Sequence, residues 1–454
     1  MTQARSRGPA GRPASRPLGG PAASRHAALL LALMWLLPAT IPARAQDGPP
    51  APRLGLAEAE TLALATDPAL PRHEALARAE EEVAVAAAQL PDPVLKLGLL
   101  NFPTDTLSRT QEPMTQIRLG LQQRIPRGDS REIAADRRLT MAEVQRAERA
   151  DRRRQVLRGV RKAWWELAYW LRAQEVIERS RGLFEQLVEI TRYQYAAGRH
   201  NQQDVVRAEL ELSRLEDRLT RIRSMQDQAR AELARWVGPE AARRDPAVDV
   251  EAAGGGLALA GGPGVADLQR LVTGLPDHPR LRAEQARIES ARLGVDLARQ
   301  SYRPGWMVDL GYGLRGGQNP DGSGRADFLS ASLAVDLPLF PGQRQDRQVA
   351  ASDQRLEAAR RRRDEVLLDL RRQLERHHAA WQRLRERVVL YRERLLPQAE
   401  RNAEASLDAY QNDNTDFTTL VRARLAELDT RLDAARVETD LARARADLDY
   451  FSGE

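Results

Sequence analysis

The stretch YQYAAGRHNQQDVVRAELEL, Tyr193–Leu212, leaves a helical pattern, breaks at Gly198 and a polar run, and resumes as a helix with apolar residues every three or four positions. A similar phrase, LDAYQNDNTDFTTLVRARLAEL, returns at Leu407–Leu428. Tyr195 precedes the first break and Tyr410 the second. A phrase met twice directs the search to an internal repeat before any fold is assigned.

Working outward from these breaks, the landmarks match. Tyr195 to Gly238 and Tyr410 to Gly453 are both 43 residues apart, and Pro68 to Pro93 and Pro279 to Pro304 are both 25 apart. The spacing predicts a tandem duplication, with a first repeat over 46–238, an irregular Gly-rich linker over 239–264 and a second repeat over 265–454.

Each half reads as helix, two strands, very long helix, break, long helix. In VLKLGLLN (94–101), QIRLGLQQRI (116–125), WMVDLGYGL (306–314) and FLSASLAVDL (328–337), apolar residues alternate with polar or small ones. Such a period of two gives each strand one apolar and one wet face. Leu97, Leu119, Leu310 and Leu333 fall on the apolar side. The lengths approach the ~9–11 residues that a membrane-spanning strand needs, and the connections 102–114 and 315–327 are polar and turn-rich. Four strands are too few to close a barrel of ordinary size, so several copies of the chain would have to contribute.

The helices are long for any globular core. No proline occurs from Asp129 to Ala196, and a helix of that length would reach ~100 Å. The returning helix carries Val205, Ala208, Leu212, Leu215, Leu219 and Ile222 at coiled-coil spacing, echoed by Leu425, Leu428, Leu432, Ala435, Thr439 and Ala442. The second long helix, from about Gln343, contains Pro397, where a kink is expected. RIPRGD (124–129) and LPLFPGQ (337–343) mark the corners between strand and helix.

Composition narrows the function. The chain has 454 residues, 42% hydrophobic and 30% charged, with a formal charge of +6. Six arginines and no acid lie in residues 1–45, so the remainder is neutral and lacks the basic footprint of a nucleic-acid binder. Those 45 residues read as an export signal for the general secretory route: basic residues, the apolar run Ala27–Leu37, then the cleavage pattern Ala43-Arg44-Ala45. There is no cysteine, which excludes disulfides, thiolate metal sites and a lipid on an N-terminal cysteine. Membrane attachment would then come from the fold itself.

No catalytic constellation, cofactor motif or metal cluster stands out, so no enzyme, cofactor or metal site is expected. His377 and His378 are adjacent, hence about 100° apart on a helix, and read as part of a solvated face. The basic run 359–378 reads as the flank of a coiled coil with ion pairs one turn apart.

With the duplication, the strands and the breaks in place, the sequence resembles the TolC outer-membrane efflux family over nearly all of the mature chain. The carriers are AEAETLALATDPAL (57–70), PDPVLKLGL (91–99), LQQRIPRGDSREIA (121–134), the opening phrase and ARWVG (234–238), with their echoes in the second half. The stretch 101–121 is similar to ducts that serve heavy-metal exporters.

The resemblance implies a mainly α fold with a small transmembrane β part. Three protomers with four strands each would make a twelve-stranded barrel that continues into a periplasmic α-helical tunnel. It implies an outer-membrane exit duct that works with a periplasmic adaptor and an inner-membrane pump of the resistance-nodulation-division type, with Leu97, Leu119, Leu310 and Leu333 facing outer-membrane lipid.

The two breaks would be tips that close the tunnel and receive the adaptor. Gly198 would supply the tight turn, and Tyr410 and Asp204 fall where the family places a tyrosine and an acid that bond between closed tips. Asp413 stands in place of the second turn glycine and Thr415 in place of a gate arginine, while Thr419 and Arg422 replace the two entrance aspartates of the best-known pattern. Asp413 and Asp416 would either replace that selectivity or cap a turn. The competing reading is a periplasmic coiled-coil protein, structural or adaptor-like, whose strands pack into a soluble domain.

Overall fold

A computed structural model describes residues 53–199, 201–247 and 268–452. The export signal with its cleavage site and residues 248–264 of the linker lie outside the described residues.

The chain begins with α1 (Leu56–Thr66) and α2 (Ala69–Ala88), divided at Pro68. Asp67 sets the restart: its Oδ1 accepts from the backbone N–H of Ala69 and Leu70, and Arg152 donates to Oδ2 at 2.6 Å. Strands β1 (Val94–Leu100) and β2 (Gln116–Ile125) follow, then α3 (Ser130–Ala196) and α4 (Gln202–Val237). The expected irregular linker instead opens with a helical turn, α5 (Pro239–Ala242), because Pro239 at the first helical position needs no hydrogen-bond acceptor. Pro246 then bridges to Leu54.

The second half repeats the order: α6 (Leu268–Gly274), α7 (Pro279–Arg299), β3 (Gly305–Arg315), β4 (Phe328–Asp336), α8 (Gln345–Leu390), α9 (Leu396–Gln411) and α10 (Phe417–Ser452). The arm from Gln345 to Gln411 spans 67 residues, as α3 does, and α4 and α10 have 36 residues each. The expected disturbance at Pro397 takes the form of a single π turn over Tyr391–Leu395, with the Leu396 N–H donating to Tyr391 O. Proline has no N–H for the carbonyl four residues back and its ring presses on it; a wider turn just ahead relieves both.

Tertiary packing supplies what such long helices cannot supply alone. Near the breaks, Ile177, Phe184 and Leu187 of α3, Leu215 and Leu219 of α4, Tyr410 of α9 and Phe417, Leu420 and Leu428 of α10 form one buried cluster. Full burial of each large apolar side chain stabilises by roughly 1.5–3 kcal/mol. The expected seam residues Ala208, Leu215, Leu219, Ile222 and Leu428 are all buried. Further toward the sheet, Val156, Val160, Trp164 and Leu167 of α3 pack with Ala59 and Ala63 of α1 and Leu233 of α4, and Trp164 Nε1 donates to Leu54 O at 2.9 Å. Leu370 and Leu374 of α8 meet Leu448, Tyr450 and Phe451 of α10 in a third cluster.

One expectation fails here. His377 and His378 do not sit on a solvated face: His378 is buried with its ring 6.1 Å from Trp381, and half-buried His377 has Nδ1 3.6 Å from Asp447 Oδ2. The run of arginines before them hid an inward stripe that also carries Leu370 and Leu374. The basic run does make the expected short-range pairs, among them Arg371 with Glu375 and Arg372 with Asp369.

Candidate functional site

The four strands form one antiparallel sheet in the order β1-β2-β3-β4. Residues that pair across it share a face, and the register runs Leu97↔Leu119↔Tyr312↔Leu329 in one row and Leu121↔Leu310↔Ala331 in another, with Val308↔Leu333 beyond. The four alternations therefore add into one continuous apolar face. It is uncovered within the chain: Leu97 is 76% exposed and Leu333 60%, with Leu119 and Leu310 also exposed. No strand residue belongs to the hydrophobic clusters of the described residues. An apolar surface of that extent marks a membrane or a partner. Within the chain β1 and β4 are also the open edges of the sheet, where unpaired backbone groups template further pairing.

The opposite face is wet. Lys96 Nζ lies 3.0 Å from Asp309 Oδ2, and Arg118 donates to Asp309 Oδ1 at 2.7 Å. Arg118 lies flat across the sheet to do so: a methyl group on Gly311 would stand 2.4 Å from its Nε. Glycine at 311 leaves the room that the guanidinium occupies.

At the far end of α3 the chain turns by a Schellman motif. Arg199 N–H donates to Gln194 O and Gly198 N–H to Tyr195 O, with Gly198 at φ +69°. The second tip is the same: Asn414 N–H donates to Ala409 O and Asp413 N–H to Tyr410 O, with Asp413 at φ +59°. Asp413 thus holds the left-handed position that glycine holds in the first tip. Asp416 caps α10, its Oδ1 accepting from the Thr419 N–H at 2.7 Å, and that bond keeps its carboxyl below the usual range.

A test of the turn chemistry follows. Nothing lies within 4 Å of a side chain added at Gly198, so Gly198→Ala costs only the left-handed backbone, about 1 kcal/mol. Asp413→Gly relieves the same strain and should stabilise, by about 0.5–1 kcal/mol because aspartate tolerates this region better than alanine. Thermal midpoints of the helical circular-dichroism signal in detergent check both; equal midpoints for the two variants would contradict the turn assignment.

The tips meet through side chains of unequal fate. Tyr410 is wholly buried with its ring 5.6 Å from Phe417, and its hydroxyl is pushed up to about 12 by burial first, then by the carboxylates of Asp204 and Asp413. Asp204, in the first turn of α4, is thus near enough to Tyr410, at the end of α9, for its carboxylate to act on the hydroxyl. Tyr195, the counterpart of Tyr410, remains 48% exposed and outside the cluster. Two contacts between the hairpins were not foreseen: Arg207 donates to Thr418 Oγ1, and Arg218 to Asp429 Oδ1 at 2.8 Å. Their residue types are common on helix surfaces, so only the packing of α4 beside α10 picks them out.

No helix among the described residues is long and apolar enough to cross a membrane, and no group of three or more metal-ligating side chains occurs among them. Residues 274–454 match the family model described as outer membrane efflux protein. No curated protein sequence matches the chain. Among solved structures, the outer-membrane channel OprN is similar at TM-score 0.71 and 17% identity, covering 88% of this chain and 89% of its own. The outer membrane protein VceC of Vibrio cholerae is similar at 0.69 and 19%, with 88% and 96% covered. The MtrE outer membrane channel of Neisseria gonorrhoeae, in its open state, gives 0.67 and 15%, with 88% of each chain covered. At such identities the likeness concerns the fold, and it takes in both halves of the chain. The outer membrane efflux protein match thus takes in residues 274–454, and the fold over 88% of the chain is that of solved outer-membrane channels.

Proposed function

We propose that the protein is the outer-membrane exit duct of a tripartite efflux system, conducting substrate passively from an inner-membrane pump and its periplasmic adaptor to the exterior. The observation that carries this reading is the pairing of two features at opposite ends of α3: an uncovered apolar sheet with two open edges, and a pair of turned tips 67 helical residues away. At ~1.5 Å per residue that arm is long enough to leave the membrane and cross much of a periplasm.

Three copies would join their sheets edge to edge into a twelve-stranded barrel, with Leu97, Leu119, Leu310 and Leu333 against lipid. Closure in this way satisfies the backbone groups that a bilayer leaves without partners. The tips, with Tyr195, Gly198, Asp204, Tyr410, Asp413 and Asp416, would form the periplasmic entrance and adaptor-docking end, served by a pump of the resistance-nodulation-division type. Equal arm lengths and identical turn motifs in the two halves support a tandem duplication. Export would use the general secretory route, with no lipid at the N-terminus.

Membrane fractionation tests the reading against a periplasmic coiled-coil protein. The full chain should stay with outer membranes through high-salt and carbonate washes and leave only with detergent. Release by salt alone would favour the periplasmic protein.

A further inference from the structure

We infer that the wet face of the sheet makes the membrane section of the duct selective for anionic over cationic solutes. The inference rests on the proposed duct, in which this face lines the pore.

Every charged residue of the four strands lies on the wet face: Lys96, Arg118, Arg124 and Arg315 against Asp309 and Asp336. Both acids are already engaged. Asp309 is held between Lys96 and Arg118 with its side chain 13% exposed, and Asp336 lies 3.5 Å from Arg127, just beyond β2. Around Asp309 the cations are the more accessible partners; Asp336 is the exposed acid, and Arg127, which pairs with it, adds a further cation beyond the strand charges. Lys96 is half exposed in its pair and Arg124 is exposed, whereas Arg315 is turned toward the loop carbonyls of Pro113 and Ala326.

A permeating ion on this face therefore meets ammonium and guanidinium groups and few carboxylate oxygens. Four bases and two acids leave an excess of two positive charges per copy, repeated by symmetry around the pore. A lining of one sign between low-dielectric walls concentrates counter-ions, and rings of Arg and Lys select anions. At 0.1 M salt the field of such a ring reaches about 10 Å into the water. The small residues Gly98, Gly120, Gly311, Gly313, Ser330 and Ser332 share this face, so little side-chain bulk stands between the charges and the lumen. A bare divalent cation would be disfavoured here, while an anionic or complexed solute would pass.

The test is the reversal potential of purified full-length protein in planar bilayers across a KCl gradient, for wild type and for the double variant Lys96→Gln, Arg124→Glu. The variant takes each wet face from an excess of two positive charges to one negative. Wild type should favour chloride and the variant potassium, with the potential changing sign. Channels that favour potassium in the wild type, or whose potential the variant leaves unmoved, would overturn the inference and leave the duct intact. A properly folded protein that forms no channels at all would overturn the duct, and the inference with it.

Discussion

Replacing Leu310 by Arg should remove the protein from the outer membrane. Leu310 lies in the middle of β3, on the apolar face, between Leu121 and Ala331. On the lipid face of a barrel an arginine near the midplane costs about 2–4 kcal/mol, falling toward zero at the interfaces. By the proposed symmetry the cost is met three times per assembly. The same change at a solvent-exposed site of a soluble domain stays within about 0.5 kcal/mol, and Leu310 is 52% exposed within the chain. The two readings thus differ several-fold on one substitution. Heat-resistant oligomer in outer-membrane fractions is the readout, with Ser332→Arg on the wet face as the matched control. Wild-type amounts of Leu310→Arg oligomer would show that this face does not meet lipid.

The second large effect is expected at the tips. The Tyr410 hydroxyl is wholly buried under the electrostatic influence of Asp204 and Asp413. We propose that in the closed entrance the hydroxyl donates to one of these carboxylates; such a charge-assisted hydrogen bond would contribute roughly 1.5–3 kcal/mol, and its loss would shift a closed–open equilibrium by about tenfold or more per copy. Tyr410→Phe combined with Asp204→Ala should raise single-channel conductance. The assembly should survive, because Phe417, Leu420 and the Leu215 and Leu219 seam still fill the cluster. A double variant with wild-type conductance and an intact oligomer would reduce Tyr410 to a packing residue.

Much of this architecture was legible because the signals were periodic. Alternation located all four strands to within a residue at each end, and the absence of proline marked the full run of α3. The tips were legible from a phrase met twice. What escaped depended on contacts between residues far apart in the chain. The link from Lys96 and Arg118 to Asp309 exists only once β1, β2 and β3 are in register, about 200 residues from end to end. Tyr195 and Tyr410 occupy the same place in the repeated phrase, yet the second is buried against the Phe417 ring while the first stays 48% exposed. His378 hid among arginines whose charge suggested solvent, while the helix turned that one position toward Trp381. Asp413 showed in sequence that a glycine was missing; that it adopts the left-handed backbone all the same is a property of the turn.

The central claim, that three copies pool their strands into a membrane barrel above a helical tunnel, is tested most directly by the electron cryo-microscopy density of the full-length protein in lipid nanodiscs. The account predicts a threefold particle with twelve strands closed in one ring, β1 of each copy beside β4 of the next, Leu97, Leu119, Leu310 and Leu333 turned to lipid, and the tips at the far end of the tunnel. A particle whose four-stranded sheets stay separate, each covered by protein on the face that carries Leu310, would contradict it.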